Sequence, residues 1–592
     1  MTRLGSQLIL SGMGMLVCIW HWPVDLMAEE PLMGYWRNFP VAHGTPLEPL
    51  PPKEELLKVV PPLRDPPTFN QEHQDLGVAP WWADYSELLF SEQPPRAADL
   101  ARKPFIRTTA GEDEPLVLGL WSIKHTGTIT LSVKKSPFPV TIRRVEFAPR
   151  YVPTSYRGVN VDGGRIIGFA TYMPESGTGE IKPGENIVFW INVTVPPGTK
   201  PGRFEISFEL IIHQVKVVVF PATVEVLPFD LPRADIAYGM YFRPLGGKVA
   251  PRYRTPELMR AYWRDMARHG MTSATMYMYM QWVDSHAGAH TEDVMRGRCF
   301  IDKDGNLKPL EGHLGIKRLE EMKKDGLIWP DIPIMLLPTD SYSKNPKVAG
   351  VIRDEMKKRG LPELLLYGAD EPKVNEEAKS SFEKLQPVRP YFRVITAISD
   401  HAATAYADLI DIWVVNGGRI TPEIRKLAKA KGAEVWTYDF NHRGRGNSTR
   451  ARFYAGLYTW ALELKGNFHW CYTEDYAWEG DRNAIMNFVL PSDKGPVPSV
   501  AWEARREGVE DYRLLKLLES RITAKPDADG AKEAGKWLKE IRSRVNWDLI
   551  QAMPKAVYPW DDGEIYPMCP NFEPAELSKI RSRVINLILK LR

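Results

Sequence analysis

The sequence predicts a multidomain chain: an N-terminal antiparallel β-sandwich, a central (β/α)8 barrel and a C-terminal helical appendage. Three observations lead there. At 592 residues the chain is too long for one hydrophobic core. Residues 104–230 hold short runs in which apolar and polar side chains alternate, the period of half-buried strands. Beyond residue 232 the period changes, and eight strand-like runs alternate with helical stretches, the count expected of a closed parallel barrel.

The N-terminus has the layout of an export signal over residues 1–28. Arg3 supplies the positive start, residues 8–20 are apolar, and Ala28 offers a small residue before Glu29-Glu30. That run is short for a bilayer, and no later segment approaches about 18 uncharged apolar residues. The mature chain is therefore expected to be secreted or periplasmic without an integral membrane span. Lipid anchoring at Cys18 is a minor alternative, since Val17 before it is bulky, and an uncleaved anchor is another. Residues 29–103 are rich in proline (Pro46, Pro49, Pro51, Pro52, Pro61, Pro62, Pro66, Pro67), which favours an extended surface run or the opening of the first domain.

The sandwich is expected over residues 104–232, with strands at 116–123, 128–133, 140–147, 187–195, 204–212 and 215–226. Pro196-Pro197-Gly198 and Pro201-Gly202 supply turns, and Pro228 and Pro232 stiffen the linker that follows. The barrel is expected over 233–520. Its strands read as 236–242, 272–279, 332–337, 364–369, 392–397, 410–415, 434–438 and 467–472. Helices are expected at 256–269, 315–324, 347–358, 376–385, 422–431 and 450–464. Thr255, Asn375 and Thr421 stand as caps, and Gly270, Gly360, Gly432 and Gly466 as stops. A doubly wound sheet would place a glycine-rich turn after its first strand, where this chain has Arg243-Pro244-Leu245. Further helices are expected at 500–520, 530–545 and 574–591, the helical appendage proper being 521–592.

Chemistry concentrates where the fourth barrel strand stops. Leu364-Leu365-Leu366-Tyr367 runs into Gly368-Ala369-Asp370-Glu371-Pro372, leaving two adjacent carboxylates at the C-terminal lip. Loops at that lip converge on one pocket in parallel barrels. Paired carboxyls cleave glycosidic bonds, although an isolated Asp-Glu also reads as the acidic start of a helix. The other lips offer Tyr241 and Arg243, Gln281 and Trp282, Asp340, Asp400 and His401, Asn416, Tyr438 and Asp439, and Tyr472, Glu474, Asp475 and Trp478. Together they describe an acidic pocket with aromatic walls, as a sugar site requires. The 19 Trp fit that picture, while most Trp in a chain this size are core. Arg243, Arg419, His442, Arg443 and Arg445 fall on lip loops. They read first as solvated charge and, if they face the cleft, as partners for a sulfated or uronic glycan.

Other classes are disfavoured. A net charge of +3 from 77 basic and 74 acidic residues provides no basic face for nucleic acid. Cys299, Cys471 and Cys569 are too dispersed for a zinc site. His286 and His290 have metal-ligand spacing, but Ala287 and Gly288 break the helical pattern. No phosphate-binding loop or Gly-x-Ser-x-Gly turn occurs. No metal and no cofactor are expected; the expected partner is an oligosaccharide or glycan substrate.

Three segments carry a specific resemblance: Tyr367 to Pro372, the stretch 466–476, and Pro498-Ser499-Val500-Ala501-Trp502-Glu503-Ala504-Arg505-Arg506-Glu507-Gly508-Val509-Glu510-Asp511-Tyr512. With sandwich preceding barrel, the chain resembles glycoside hydrolase family 123, the β-N-acetylgalactosaminidases, and relatives sharing the same C-terminal module. The resemblance implies substrate-assisted hydrolysis with retention. The 2-acetamido oxygen of the sugar attacks its own anomeric carbon. Glu371 acts as general acid and then base, with a raised pKa expected from partial burial beside Asp370, and Asp370 orients the acetamido group. Tyr241, Arg243, Trp282, Asp340, Tyr367, Asn416, Tyr438, Asp439, Tyr472, Glu474 and Trp478 are the expected substrate-binding residues.

Two alternatives remain. A conventional retaining glycosidase would keep Glu371 as acid/base and use Asp439 or Glu474 as nucleophile, since its two carboxyls stand about 5–5.5 Å apart across the ring. A non-catalytic glycan-binding protein would rely on the sandwich. The charged block Trp502–Tyr512 reads as structural, its i,i+3 and i,i+4 pairs locking a helix to the barrel.

Overall fold

Alternating runs in the N-terminal half build two packed sheets. The computed structural model describes residues 65–592 except 88, 153–154, 157–158, 161–164, 213–215, 243–252, 254, 278–313, 338–345, 439–447, 474–486, 546–571 and 573. The described residues all belong to one compact unit.

One sheet orders its strands Val78–Ala83, Asp113–Ser122, Asn186–Thr194, Val140–Arg144. The other runs Thr178–Ile181, Gly127–Lys135, Gly202–Ile212, Lys216–Val226, Phe105–Thr108. Their inward side chains, among them Ile129, Phe189, Ile191, Ile206, Phe208 and Val224, form a continuous apolar layer. Two expectations change. Lys216–Val226 pairs in parallel with Phe105–Thr108, so the sandwich is not wholly antiparallel. No hairpin joins those strands, and only a hairpin enforces opposite directions. The strand Val78–Ala83 also lies before the boundary expected at residue 104, in the segment expected to run extended or to open the first domain. Trp82 draws it into the core against Phe208 and Phe220.

The barrel strands are Ala237–Tyr238 (β1), Thr275–Tyr277 (β2), Ile334–Leu337 (β3), Leu364–Tyr367 (β4), Val394–Ile398 (β5), Ile412–Asn416 (β6), Glu434–Tyr438 (β7) and Gly466–Asn467 (β8). Every ladder is parallel, in the order β1-β8-β7-β6-β5-β4-β3-β2. The seam between β1 and β2 closes without a ladder. Tyr238 O accepts from the N–H groups of Thr272 and Ser273, both at 2.9 Å. Thr272 Oγ1 accepts from Tyr238 N at 2.9 Å, and Thr275 Oγ1 from Phe242 N at 3.1 Å. Threonine hydroxyls substitute for strand partners, which is why β1 is shorter than its apolar run.

Thr255, Asn375 and Thr421 each accept the expected capping hydrogen bond, and Gly432 ends its helix in the left-handed region at φ 68°. Gly466 is not a helix stop. It lies in β8, where a Cβ would come within 2.1 Å of the Trp436 ring, and Glu463 takes the left-handed turn instead, at φ 56°. Just before it, residues Tyr454–Tyr458 widen into a π-turn. Asn467 Nδ2 fills that turn, donating to Tyr454 O at 3.0 Å and Thr459 Oγ1 at 2.7 Å.

The helix Val500–Ala524 buries its charged block. Arg506 pairs with Glu503 at 2.6 Å and Glu507 at 2.9 Å. Arg581, on the helix Pro574–Lys590, reaches Glu114 and Glu510 at 2.7 Å each and Glu507 at 3.1 Å. Arg581 thus ties the helix to the sandwich and the C-terminal helix, while Asp511 paired with Arg452 at 2.6 Å and Arg505 Nη2 donating to Asn467 Oδ1 at 2.8 Å lock it to the barrel as expected. Among the described residues no helix is long and apolar enough to cross a membrane.

Candidate active site at the barrel mouth

β4 is buried along its whole length and ends at Tyr367. Gly368 must follow, because a Cβ there would lie 2.4 Å from the ring of Phe382 on the helix Glu376–Glu383. The chain stays tied to β5 past the ladder: Gly368 N donates to Ile395 O at 2.9 Å and Glu371 N to Ala397 O at 3.1 Å. Thr396 Oγ1 also donates to Ala369 O. Within that frame Glu371 has φ 42°, a left-handed backbone that costs a side-chain-bearing residue roughly 1–2 kcal/mol. Strand residues otherwise alternate between faces. Leaving the extended conformation lets both Asp370 and Glu371 emerge on the exposed side. Beyond them Pro372 is buried, and the Tyr406 hydroxyl holds the next turn. It shares its one proton between Lys373 O (2.9 Å) and Asn375 O (3.0 Å) and accepts from Asn375 N (2.9 Å).

Each acid has its own tyrosine. Tyr367 donates to Asp370 Oδ1 at 2.6 Å, and Tyr438, at the end of β7, donates to Glu371 Oε1. Tyr367 also accepts from Ala397 N at 3.1 Å, taking the place a β4 carbonyl would fill had the strand continued. Burial, with Tyr241 and Asp370 beside it, pushes the Tyr367 phenol well above its usual range. Tyr241 is buried from the β1 side, its ring against Phe468 (5.9 Å) and Trp470 (5.6 Å). Asn416 stands half-buried beside Tyr438 in the β6–β7 register. The strand ends thus assemble Asp370, Glu371, Tyr367, Tyr438 and Tyr241, with Asn416 at the edge. The partial burial expected around Glu371 is not supplied by the described residues, since both acids are exposed.

Two assignments are corrected. Tyr472 is fully buried, and its hydroxyl donates to Asp265 Oδ2 at 2.7 Å, the oxygen that also accepts from Trp502 Nε1 at 2.9 Å. It braces the end of β8 against the surrounding helices and does not face the mouth; counting along the strand gave its position but not its side. Tyr367 is likewise buried, so it supports an acid and presents no surface to a sugar. Asp400 and His401 open the short helix Asp400–Ala405. Arg419 is exposed. Arg243, Gln281, Trp282, Asp340, Asp439, His442, Arg443, Arg445, Glu474, Asp475 and Trp478 lie outside the described residues, as do His286, His290, Cys299 and Cys569. Tyr406 and Thr396 escaped the sequence reading, because nothing in spacing marks a hydroxyl that will hold a distant loop.

Among the described residues one acidic trio, Glu114, Glu507 and Glu510, brings its oxygens close enough for a metal ion. The Arg581 guanidinium already contacts all three. The charge a metal would neutralise is met by arginine.

Residues 351–518 match the model of the glycoside hydrolase 123 catalytic domain. The match spans the acid pair, Tyr438 and the charged block of the helix Val500–Ala524. A family 123 glycoside hydrolase from Clostridium perfringens, studied for glycolipid glycan hydrolysis, is similar in fold. The TM-score is 0.57 and the identity 12%, over 87% of this chain and 99% of that one. A family 39 glycoside hydrolase from Bacteroides cellulosilyticus aligns with a TM-score of 0.30 at 11% identity, over 72% and 82% of the two chains. No curated protein matches the chain. Residues 351–518 are thus similar to a glycoside hydrolase catalytic domain, of the family whose motifs the sequence resembles.

Proposed function

We propose, from the glycoside hydrolase 123 catalytic domain matched by residues 351–518, that this protein cleaves β-linked N-acetylhexosamine of the GalNAc type with retention, by substrate-assisted catalysis. One observation carries the reading. The two acids at the β4 end are sequence neighbours, turned out together by the left-handed Glu371, and each is held by a different phenol. A conventional retaining pair sits about 5–5.5 Å apart across the sugar ring, normally on separate strands. Neighbouring acids suit a reaction whose nucleophile belongs to the substrate.

In the first step Glu371 gives its proton to the glycosidic oxygen while the acetamido oxygen attacks the anomeric carbon. The C–O bond to the leaving group breaks and an oxazolinium forms. Asp370 accepts the acetamido N–H and offsets the positive charge that develops there. Water then attacks the anomeric carbon, Glu371 takes its proton, and the acetamido group is restored. Two inversions give net retention.

Hydrolysis of chromogenic β-GalNAc, β-GlcNAc and β-galactose substrates tests this in wild type, Asp370→Asn and Glu371→Gln. Loss of acetamido-sugar turnover in both variants, with inhibition by a thiazoline analogue, is expected. Turnover of the plain galactoside that disappears in Asp439→Asn or Glu474→Gln would instead establish a protein nucleophile. Binding without any turnover would make the chain a glycan-binding protein.

A further inference from the structure

The Tyr367 hydroxyl has two polar partners. Ala397 N–H points to it at 3.1 Å, and Asp370 Oδ1 lies at 2.6 Å. A phenol has one proton to donate and two lone pairs to offer. A backbone N–H can only donate, so Ala397 takes one lone pair. An ionised carboxylate can only accept, so Asp370 receives the proton. Donation runs in one direction, from Ala397 N–H to Tyr367 to Asp370. Tyr367 is only 4% exposed and Tyr241 3%, so neither is a surface for substrate.

We infer that Tyr367 is a positioning residue that orients Asp370 as an acceptor, one oxygen committed to the phenol and the other left for the acetamido N–H. This deepens the substrate-assisted reading and rests on it. A carboxylate without that donor would rotate more freely, and the acceptor would no longer be aimed at the sugar nitrogen.

The full chain tests the inference as wild type, Tyr367→Phe, Asp370→Asn and the double variant. On a β-GalNAc aryl glycoside, Tyr367→Phe is expected to lower kcat about 10- to 100-fold with KM changed less than about threefold, the loss of a hydrogen bond to a charged group. In the Asp370→Asn background the same change is expected to alter kcat by less than about threefold, because the group through which it acts has gone. Equal losses in both backgrounds, or no loss in wild type, would overturn the inference. Should Tyr367→Phe fail to fold, a ring-fluorinated tyrosine at position 367, which keeps the ring and alters the phenol as a donor, carries the same double comparison, with a smaller change in kcat expected because the Tyr367–Asp370 bond survives. If wild type turns over no acetamido sugar, the proposed function fails, and a crystal structure of Tyr367→Phe decides the positioning role separately. A turned or disordered Asp370 carboxylate would support it; one unmoved would end it.

Discussion

Tyr438 and Glu371 meet across the barrel mouth: the phenol at the end of β7 donates to the acid that follows β4, bridging the ends of β5 and β6. Tyr367 approaches Asp370 from the buried side of the same strand. Neighbouring carboxylates in the sequence therefore answer to opposite parts of the cylinder. The reach of Tyr438 explains why a residue distant in the chain belongs with the acid pair.

Tyr438→Phe removes the donor to Glu371 while leaving the ring. The expected result is a fall in kcat/KM of about tenfold, equivalent to about 1.4 kcal/mol of transition-state stabilisation. Stability should change by less than about 1 kcal/mol, since the contact lies at an exposed mouth. Steady-state kinetics with urea denaturation checks both. An undiminished kcat/KM would mean that the contact exists only in the unliganded protein.

The φ of 42° at Glu371 predicts a trade between stability and activity. Glycine adopts that conformation without a Cβ penalty, although it adds entropy to the unfolded chain. Glu371→Gly is expected to be more stable than Glu371→Gln by up to about 1 kcal/mol, and both to be inactive. Denaturant unfolding of the two inactive variants decides it; a glycine variant less stable than the glutamine one would remove strain from the account.

The eight strands were legible because buried parallel strands read as short apolar runs between capped helices, as Leu364–Tyr367 and the Asn375 cap illustrate. Glycine proved ambiguous. Gly432 and Gly466 look alike in sequence, yet the first frees a backbone turn while the second makes room for Trp436. The site divided along the same line. A motif places Asp370 and Glu371 at a strand end, but the side to which Tyr472 points depends on Asp265, more than two hundred residues away in the chain, which no local pattern reports. The parallel pairing of Phe105–Thr108 was equally hidden, because direction is encoded locally only by a tight turn.

The buried charge junction predicts a loss of stability toward alkaline pH. Burial, reinforced by Glu510, pushes Glu507 up from 4.5 to about 7, and burial raises Glu114 and Glu510 as well. Between those values the folded state holds a proton that the unfolded chain releases, so stability falls as pH rises through that window, by at most about 1.4 kcal/mol per pH unit for each group. His269 adds to the same trend. Burial opposes its charge, but Asp265 and Glu503 outweigh burial and raise its pKa above 6.5, so its contribution is present below 6.5 and lost as pH climbs through the folded value. Denaturation at pH 5 and pH 8 should show a lower midpoint at pH 8, and Glu507→Gln should flatten the difference. A midpoint that rises with pH over that range would refute the assignment. Arg581→Ala, which strips the shared cation from three buried acids, is expected to cost about 3–5 kcal/mol.

Gly368→Ala tests whether the packing beneath the acid pair sets its geometry. The added methyl would meet Phe382 Cε1 at 2.4 Å, and Phe382 is fully buried with its ring 5.2 Å from that of Tyr406, so neither ring has room to retreat. Overpacking of this kind costs about 1–3 kcal/mol. The displacement should pass to the Tyr406 hydroxyl and from there to the turn at Lys373 and Asn375, lowering kcat with little change in KM. Shortening the obstructing side chain should reverse part of this. In Gly368→Ala/Phe382→Leu the methyl has space, and kcat is expected to recover even though the smaller side chain leaves a cavity and lowers the melting temperature. Recovery of activity without recovery of stability would separate geometry from folding. If the double variant were no more active than Gly368→Ala, the contact between Phe382 and the strand end would have no part in aiming Asp370 and Glu371.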